Sequence, residues 1–302
     1  MNYKPYKYHT YGINKILTLK GVGAFLDMGL GKTAMTLTAV IELLRTNDIK
    51  KVLIIAPKKV VENVWQQEAT KWDHLSHLKI SRVLGSEKER RMALQVKTNI
   101  FAINRENVVW LVGLYGNNWP FDMVVVDEMS SFKNHDSKRF KALRLVRDRI
   151  KRIVALTGTP APNGLLDLWS QLYLLDKGER LGKTYTGYRD KYFGSDKRNR
   201  QTVFSYKLRE GDDLLGKQYY EKEIMDKISD ICFSMKTEDY ITLPERIDND
   251  QFITLSPETY QRYLQFEEEQ VLKLVDAEIT AVNAAALTNK LLQFSNGCVY
   301  DE

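Results

Sequence analysis

Apolar residues in this chain fall into short runs at 22–26, 52–56, 80–84, 100–103, 123–126 and 153–156, unbroken but for Ser81 and Arg82 in the third. Runs of that length, apolar at consecutive positions rather than at every second one, read as strands buried on both faces. Between them lie segments with helical spacing, such as 33–44 and 63–71. Strands of this kind alternating with helices predict an α/β fold, a doubly wound parallel sheet covered on both sides. In such a sheet, ligands gather at the carboxyl ends of the strands.

The texture changes after Trp169. Helical pieces are expected at 165–175 and 218–231, giving a helical protrusion after the last core strand. The stretch 194–213 between them is polar and basic, with Lys197, Arg198 and Arg200. It reads as a loop, either simply solvated or in contact with a polyanion. An extended segment is expected at 247–255, then a long helix opened by Pro257. Its apolar stripe of Tyr260, Tyr263, Leu264, Phe266, Val271, Leu272 and Val275 has the spacing of a packing face. No internal repeat or low-complexity tract is evident.

With 43% hydrophobic and 28% charged residues in 302, the chain reads as globular with ample length for a core. The longest apolar runs, such as 108–114, are strand-sized and well short of the ~20 residues that span a bilayer. No signal-peptide pattern follows Met1, so the expectation is no membrane association and a cytoplasmic protein of a bacterial or phage-infected cell. Cys232 and Cys298 are too few for a disulfide framework and too far apart for a metal knuckle. The net charge of +6 favours a polyanionic partner. Placement strengthens this, because Lys58 and Lys59 follow one strand-like run and Lys133, Lys138, Arg139 and Lys141 follow another.

Two segments carry chemistry. Asp27-Met28-Gly29-Leu30-Gly31-Lys32-Thr33 lies between a strand-like run and a helix-like segment. A glycine turn there lets backbone N–H groups approach phosphate oxygens at the positive end of a helix. Lys32 would reach the β and γ phosphates of ATP, and the Thr33 hydroxyl would ligate Mg²⁺. The strict phosphate-loop pattern would place a further glycine where Leu26 stands, and a bare helix-capping turn is the alternative reading. Farther on, Asp127 and Glu128 end the run Met123-Val124-Val125-Val126. Asp127 would hold the metal and Glu128 would orient or deprotonate the attacking water. A strand end with a helix cap is the plainer alternative. The two segments in this order, each after a strand, complete the two halves of an ATP-Mg²⁺ site.

Two further segments bear on family. Ile54-Ile55-Ala56-Pro57-Lys58-Lys59 continues to Val64-Trp65-Gln66-Gln67-Glu68, and Leu156-Thr157-Gly158-Thr159-Pro160 continues through Asn163 to Trp169. Together with the glycine turn and the acidic box, these motifs resemble the superfamily 2 helicases. Within them they resemble the Swi/Snf-type DNA translocases, with the look of small phage or bacterial members. The resemblance runs nearly end to end and implies the first RecA-like lobe of such a motor.

It implies roles residue by residue. His9, Gly29, Leu30, Gly31, Lys32 and Thr33 would contact the nucleotide. His9 stands where the family usually reads adenine with glutamine, and a surface histidine beside a helix start is the alternative. Lys58, Lys59, Asn104, Arg105 and Asn163 would meet the DNA backbone, although Asn104-Arg105 can also be read as a capped turn. Ser130, Thr157 and Thr159 would couple the two ligands. Ser130 departs from the histidine common in relatives and is expected to hydrogen-bond toward the turn of Thr157 to Thr159.

The implied domains are an ATP-binding lobe at 1–164, a helical protrusion with a basic loop at 165–245, and a strand and helices at 246–302 that complete the lobe and lead to a second one. That second RecA-like lobe, with its arginines, is the implied partner, and double-stranded DNA the implied substrate. An RNA helicase lobe and a non-hydrolysing, ATP-liganded binding module are the alternatives.

Overall fold

The computed structural model describes residues 1–196, 205–211, 216, 218–240, 249, 252–276 and 281–297. Along the chain come α1 (Lys7–Thr18), β1 (Gly21–Leu26), α2 (Lys32–Arg45), β2 (Val52–Ala56), α3 (Trp65–Lys71) and β3 (Ile80–Val83). These are followed by α4 (Glu87–Leu94), β4 (Ile100–Asn104), α5 (Val108–Tyr115), β5 (Met123–Asp127), α6 (Lys138–Val146) and β6 (Arg152–Thr157). Then come α7 (Leu168–Asp176), α8 (Tyr185–Tyr192), β7 (Phe193–Ser195), β8 (Tyr206–Leu208), α9 (Tyr219–Ile228) and β9 (Cys232–Met235). The last two elements are α10 (Pro257–Asp276) and α11 (Ala281–Ser295).

Seven strands form one sheet in the order β3-β4-β2-β5-β6-β1-β9, and every pairing in it is parallel. The six expected runs are its first six strands. Successive residues of one strand enter opposite cores. Leu53 and Ile55 of β2 join Val124 and Val126 of β5 on the face packed by Leu111, Phe140, Trp169, Tyr188 and Ile224 of α5 to α9. Val52, Ile54 and Ala56 join Met123 and Val125 on the face packed by Ile16, Leu37 and Trp65 of α1, α2 and α3. A strand with an apolar core on each side has no polar face to alternate with, which explains the continuous runs.

Three features depart from the sequence reading. Residues 108–114, strand-sized by length, form helix α5. A run this short carries no periodicity to separate a strand from a buried helix. Between Pro57 and α3 the chain makes a π-helical turn, Val60–Val64, in place of a plain helix start. The seventh strand, β9, comes from within the stretch expected to be helical and pairs with the outer edge of β1.

The flanks of the basic loop, β7 and β8, pair as a short antiparallel hairpin. Lys197, Arg198 and Arg200 lie outside the described residues, as do Cys298 and residues 247, 248, 250 and 251, while 252–255 precede α10 without forming a strand. Cys232 is a buried thiol.

The chain divides into two units, residues 1–242 and 243–302. In the second, α10 and α11 pack as a helical pair, with Phe294 against Tyr263 and Phe266 at ring-centroid separations of 5.9 and 5.5 Å. Tyr260 is half exposed in that unit, and the side chains of Val271, Leu272 and Val275 lie outside the described residues. Among the described residues no helix is long and apolar enough to cross a membrane.

Candidate nucleotide site and nucleic-acid face

The sheet order decides what meets at its carboxyl edge. β6 pairs with β1 on one side and β5 on the other. The glycine turn leaving β1, the acidic pair leaving β5 and the threonine turn leaving β6 are therefore neighbours, although far apart in sequence.

A cleft of about 690 Å³ opens there, lined by His9, Gly29, Gly31, Lys32, Thr33, Asp127 and Glu128, with Tyr3, Tyr6 and Trp72 along its wall. A larger hollow of about 900 Å³ lies along α9. Its acidic wall of Glu221, Glu223 and Asp226 would repel phosphate, so the smaller cleft is the candidate.

Gly29 and Gly31 both have positive φ, 85° and 65°, a region that costs a side-chain-bearing residue roughly 1–2 kcal/mol. At Gly29 a side chain would meet open space, so the backbone there is accessible to a ligand. At Gly31 a Cβ would stand 2.7 Å from His9 Nε2. Leu30, between them, is fully buried and contributes backbone rather than side chain to the turn. Lys32 Nζ folds back on the turn and donates to the carbonyls of Leu26 and Asp27 at 2.7 and 3.4 Å.

His9 is placed differently from the expectation of a base-reading or surface residue. It is buried. Its Nδ1 accepts from the Tyr6 N–H at 3.3 Å and its Nε2 meets the Leu30 carbonyl at 3.0 Å. That pairing selects the neutral Nε2–H tautomer. Burial also pushes the imidazole below its ordinary range, opposed by the Leu30 bond. Both ring nitrogens are thus committed to bracing the turn.

Asp127 ends β5 with its Oδ2 accepting from the Trp65 indole N–H at 3.2 Å. Burial and then the neighbouring Glu128 push its carboxyl up to about 6, while the Trp65 hydrogen bond and Lys32 oppose the rise. The folded-state value lies above the ordinary 3.8. Ionising Asp127 therefore costs stability in full above pH ~6, and the cost disappears as pH falls toward ~4. At about 1.4 kcal/mol per unit, Asp127→Asn is expected to stabilise the ligand-free protein by about 1–3 kcal/mol at pH 7. Thermal denaturation at pH 7 and pH 4.5 checks this, and an equal change at both would contradict it.

Glu128 adopts a left-handed backbone, φ 57° and ψ 57°. A non-glycine residue held there is strained, and such strain gathers at functional sites.

The expected coupling contact does not form. Thr157, fully buried, accepts from the Thr159 N–H at 3.2 Å, and Ser130 closes its own turn by accepting from the Lys133 N–H at 3.2 Å. The link between the two segments runs instead through α7. Ser170 Oγ donates to the Lys133 carbonyl, and Gln171 Nε2 donates to the carbonyls of Pro160 and Asp167. Both residues are buried. A polar Ser-Gln pair inside an otherwise apolar helix was the available signal. Thr237, just past β9, was also missed, and its N–H donates to Asp27 Oδ2 at 2.9 Å to brace the glycine turn.

Among the expected nucleic-acid contacts, Lys58 is exposed with a loose ion pair to Glu62 at 3.8 Å, and Lys59 and Asn163 are exposed. Arg105 is half-buried and pairs with Glu106 at 3.0 Å. Asn104 differs from these in being buried, and its amide donates to Glu106 Oε2 at 2.9 Å and accepts from Asn107 within the turn. The carboxyl edge that holds the cleft thus also carries Lys58 and Lys59 after β2, Arg105 after β4 and Asn163 after β6.

A doubly wound parallel sheet with a glycine turn and lysine leaving one strand and an acidic pair leaving another defines the RecA-like class. The chain belongs to the SNF2-related domain family, whose model matches residues 24–299. Protein p41 of Acyrthosiphon pisum secondary endosymbiont phage 1 is 35% identical over 307 residues, spanning 99% of this chain and 65% of that protein. The uncharacterized ATP-dependent helicase MG018 of Mycoplasma genitalium is 34% identical over 174 residues, 54% of this chain and 16% of that one. The Sulfolobus solfataricus SWI2/SNF2 ATPase core in complex with dsDNA superposes with a TM-score of 0.61 at 22% identity, covering 97% of this chain and 58% of that one. This likeness shows the shared fold. The chain spans less than two thirds of the length of each of these relatives.

Proposed function

We propose that this chain is the first lobe of an ATP-dependent motor that tracks along double-stranded DNA, with ATP-Mg²⁺ held in the cleft at the carboxyl ends of β1, β5 and β6. The observation that carries the reading is the gathering of Lys32, Thr33, Asp127 and Glu128 around one cleft.

The residues suit that ligand. The open backbone at Gly29 leaves room for phosphate oxygens, and Thr33 with Asp127 offers the hard oxygen donors Mg²⁺ prefers. Among the described residues no group of three or more His, Cys, Asp or Glu could hold a metal ion alone. This is consistent with an ion shared with phosphate and water. Bound magnesium neutralises phosphate charge during transfer.

Lys32 would exchange its bonds to the Leu26 and Asp27 carbonyls for the β and γ phosphates. Glu128 would orient the attacking water and take its proton. His9, by fixing Leu30, would keep the turn in its receptive shape. Lys58, Lys59, Arg105 and Asn163 would meet backbone phosphates, giving binding that is salt-sensitive and indifferent to sequence. Thr157, Thr159 and Ser130 would pass changes between the two ligands by way of Ser170 and Gln171. A second RecA-like lobe is the partner that completes the site, its arginine adding about 10³–10⁵ in rate.

The test compares phosphate release by the protein joined with its second lobe in the presence of duplex DNA, single-stranded DNA or RNA. Duplex DNA is expected to stimulate most and to lose effect as salt rises. Strongest stimulation by RNA would make this an RNA helicase lobe. Nucleotide binding without any hydrolysis would make it a binding module.

A further inference from the structure

Trp65 is fully buried and has a partner that packing alone does not require: its indole N–H donates to Asp127 Oδ2 at 3.2 Å. Indole is a donor only. It can therefore hold one carboxylate oxygen without competing for a cation, leaving Oδ1 directed elsewhere. The π-helical turn Val60–Val64 lies immediately before Trp65. A π turn contains one more residue than an α turn, which rotates everything after it by about 100°. Trp65 follows that turn, and its indole meets the end of β5, which is β2's neighbour. Short π segments of this kind occur frequently at functional sites.

We infer that Trp65 is a positioning residue for the metal-binding carboxylate, fixing the orientation of Asp127 through its indole N–H from the π-helical turn. The inference rests on the proposed nucleotide site. Outer partners of metal-binding groups typically matter by 10–100-fold in metal affinity. Trp65→Phe preserves an aromatic ring in the core and removes only the donor and part of the volume.

The experiment measures binding of a fluorescent ATP analogue to wild type and Trp65→Phe, first in EDTA and then as Mg²⁺ is titrated in. Metal-free affinity is expected to stay within about twofold, and the half-saturating Mg²⁺ concentration to rise about 10-fold. An unchanged Mg²⁺ dependence, or an equal loss with and without metal, would overturn the inference and leave Trp65 as packing. Failure of wild type to bind the analogue under any condition would instead strike the proposed nucleotide site.

A measurement on wild type covers the case in which the variant does not fold. The Trp65 indole ¹⁵N–¹H resonance is assigned by replacing Trp72, Trp110, Trp119 and Trp169 in turn. It is expected to exchange slowly with solvent and to shift on Asp127→Asn. Slow exchange alone fits burial, so a resonance insensitive to Asp127→Asn would overturn the inference.

Discussion

Glu128→Gln is expected to lower nucleic-acid-stimulated hydrolysis by about 10²–10⁴-fold while nucleotide affinity changes by only a few-fold. The amide keeps the size of the side chain but cannot take a proton from water, and general-base contributions fall in that range. The backbone helps separate function from folding. Residue 128 sits at φ 57°, a conformation glycine adopts freely. Glu128→Gly is therefore expected to be equally inactive and yet more stable by about 1 kcal/mol. That combination would mark Glu128 as a residue kept for its carboxylate at the expense of backbone strain. Steady-state phosphate release and thermal denaturation of both variants provide the check. Hydrolysis surviving within a few-fold in Glu128→Gln would remove the residue from the reaction.

Lys32→Ala is expected to weaken nucleotide binding by about 100-fold, because hydrogen bonds from an ammonium to phosphate are charge-assisted and among the stronger kinds. In the ligand-free protein the ammonium is satisfied by the carbonyls of Leu26 and Asp27, so binding exchanges partners rather than adding contacts from nothing. That exchange limits the loss to less than an isolated ion pair would suggest. Calorimetric titration with ADP and ATP reads it directly. If Lys32 reaches the terminal phosphates as proposed, ATP loses more than ADP, and equal binding of ATP by wild type and variant would contradict the assigned role.

The sheet was legible because its strands are buried on both faces. Val52–Ala56 has the bounds its apolar run suggests, and the run at 123–126 extends by one residue to place Asp127 at the strand end. The helix after the glycine turn was legible for a related reason, since Lys32–Arg45 carries a clear apolar period. β9 was not. Its four residues, Cys232–Met235, carry one exposed serine and follow a helix after only the three-residue turn 229–231. Only the vacant outer edge of β1 makes them a strand. Residues 108–114 became helix α5 for the complementary reason, since their apolar side chains found neighbours on a sheet face already built from other strands.

The candidate site divides along the same line. Lys32, Thr33, Asp127 and Glu128 could be named in advance because phosphate and magnesium chemistry demands those residue types beside strand ends. His9 and Asn104 could not be placed, because each is a polar side chain whose partner is a backbone or side-chain atom supplied by folding. The imidazole of His9 turned to Leu30 and the amide of Asn104 to Glu106 and Asn107. Trp65, Ser170, Gln171 and Thr237 gained their importance in the same way, through partners 62, 37, 11 and 210 positions distant.

By itself the sequence determined the first six strands of the parallel sheet and which residues have the chemistry for a nucleotide, since both are written in local composition and spacing. The tertiary structure alone decided the strand order, and with it which carboxyl ends are neighbours. It also decided which polar groups face a ligand and which are consumed in holding those that do. A hydrogen bond depends on distance and direction in space, and neither is specified until the chain has closed on itself.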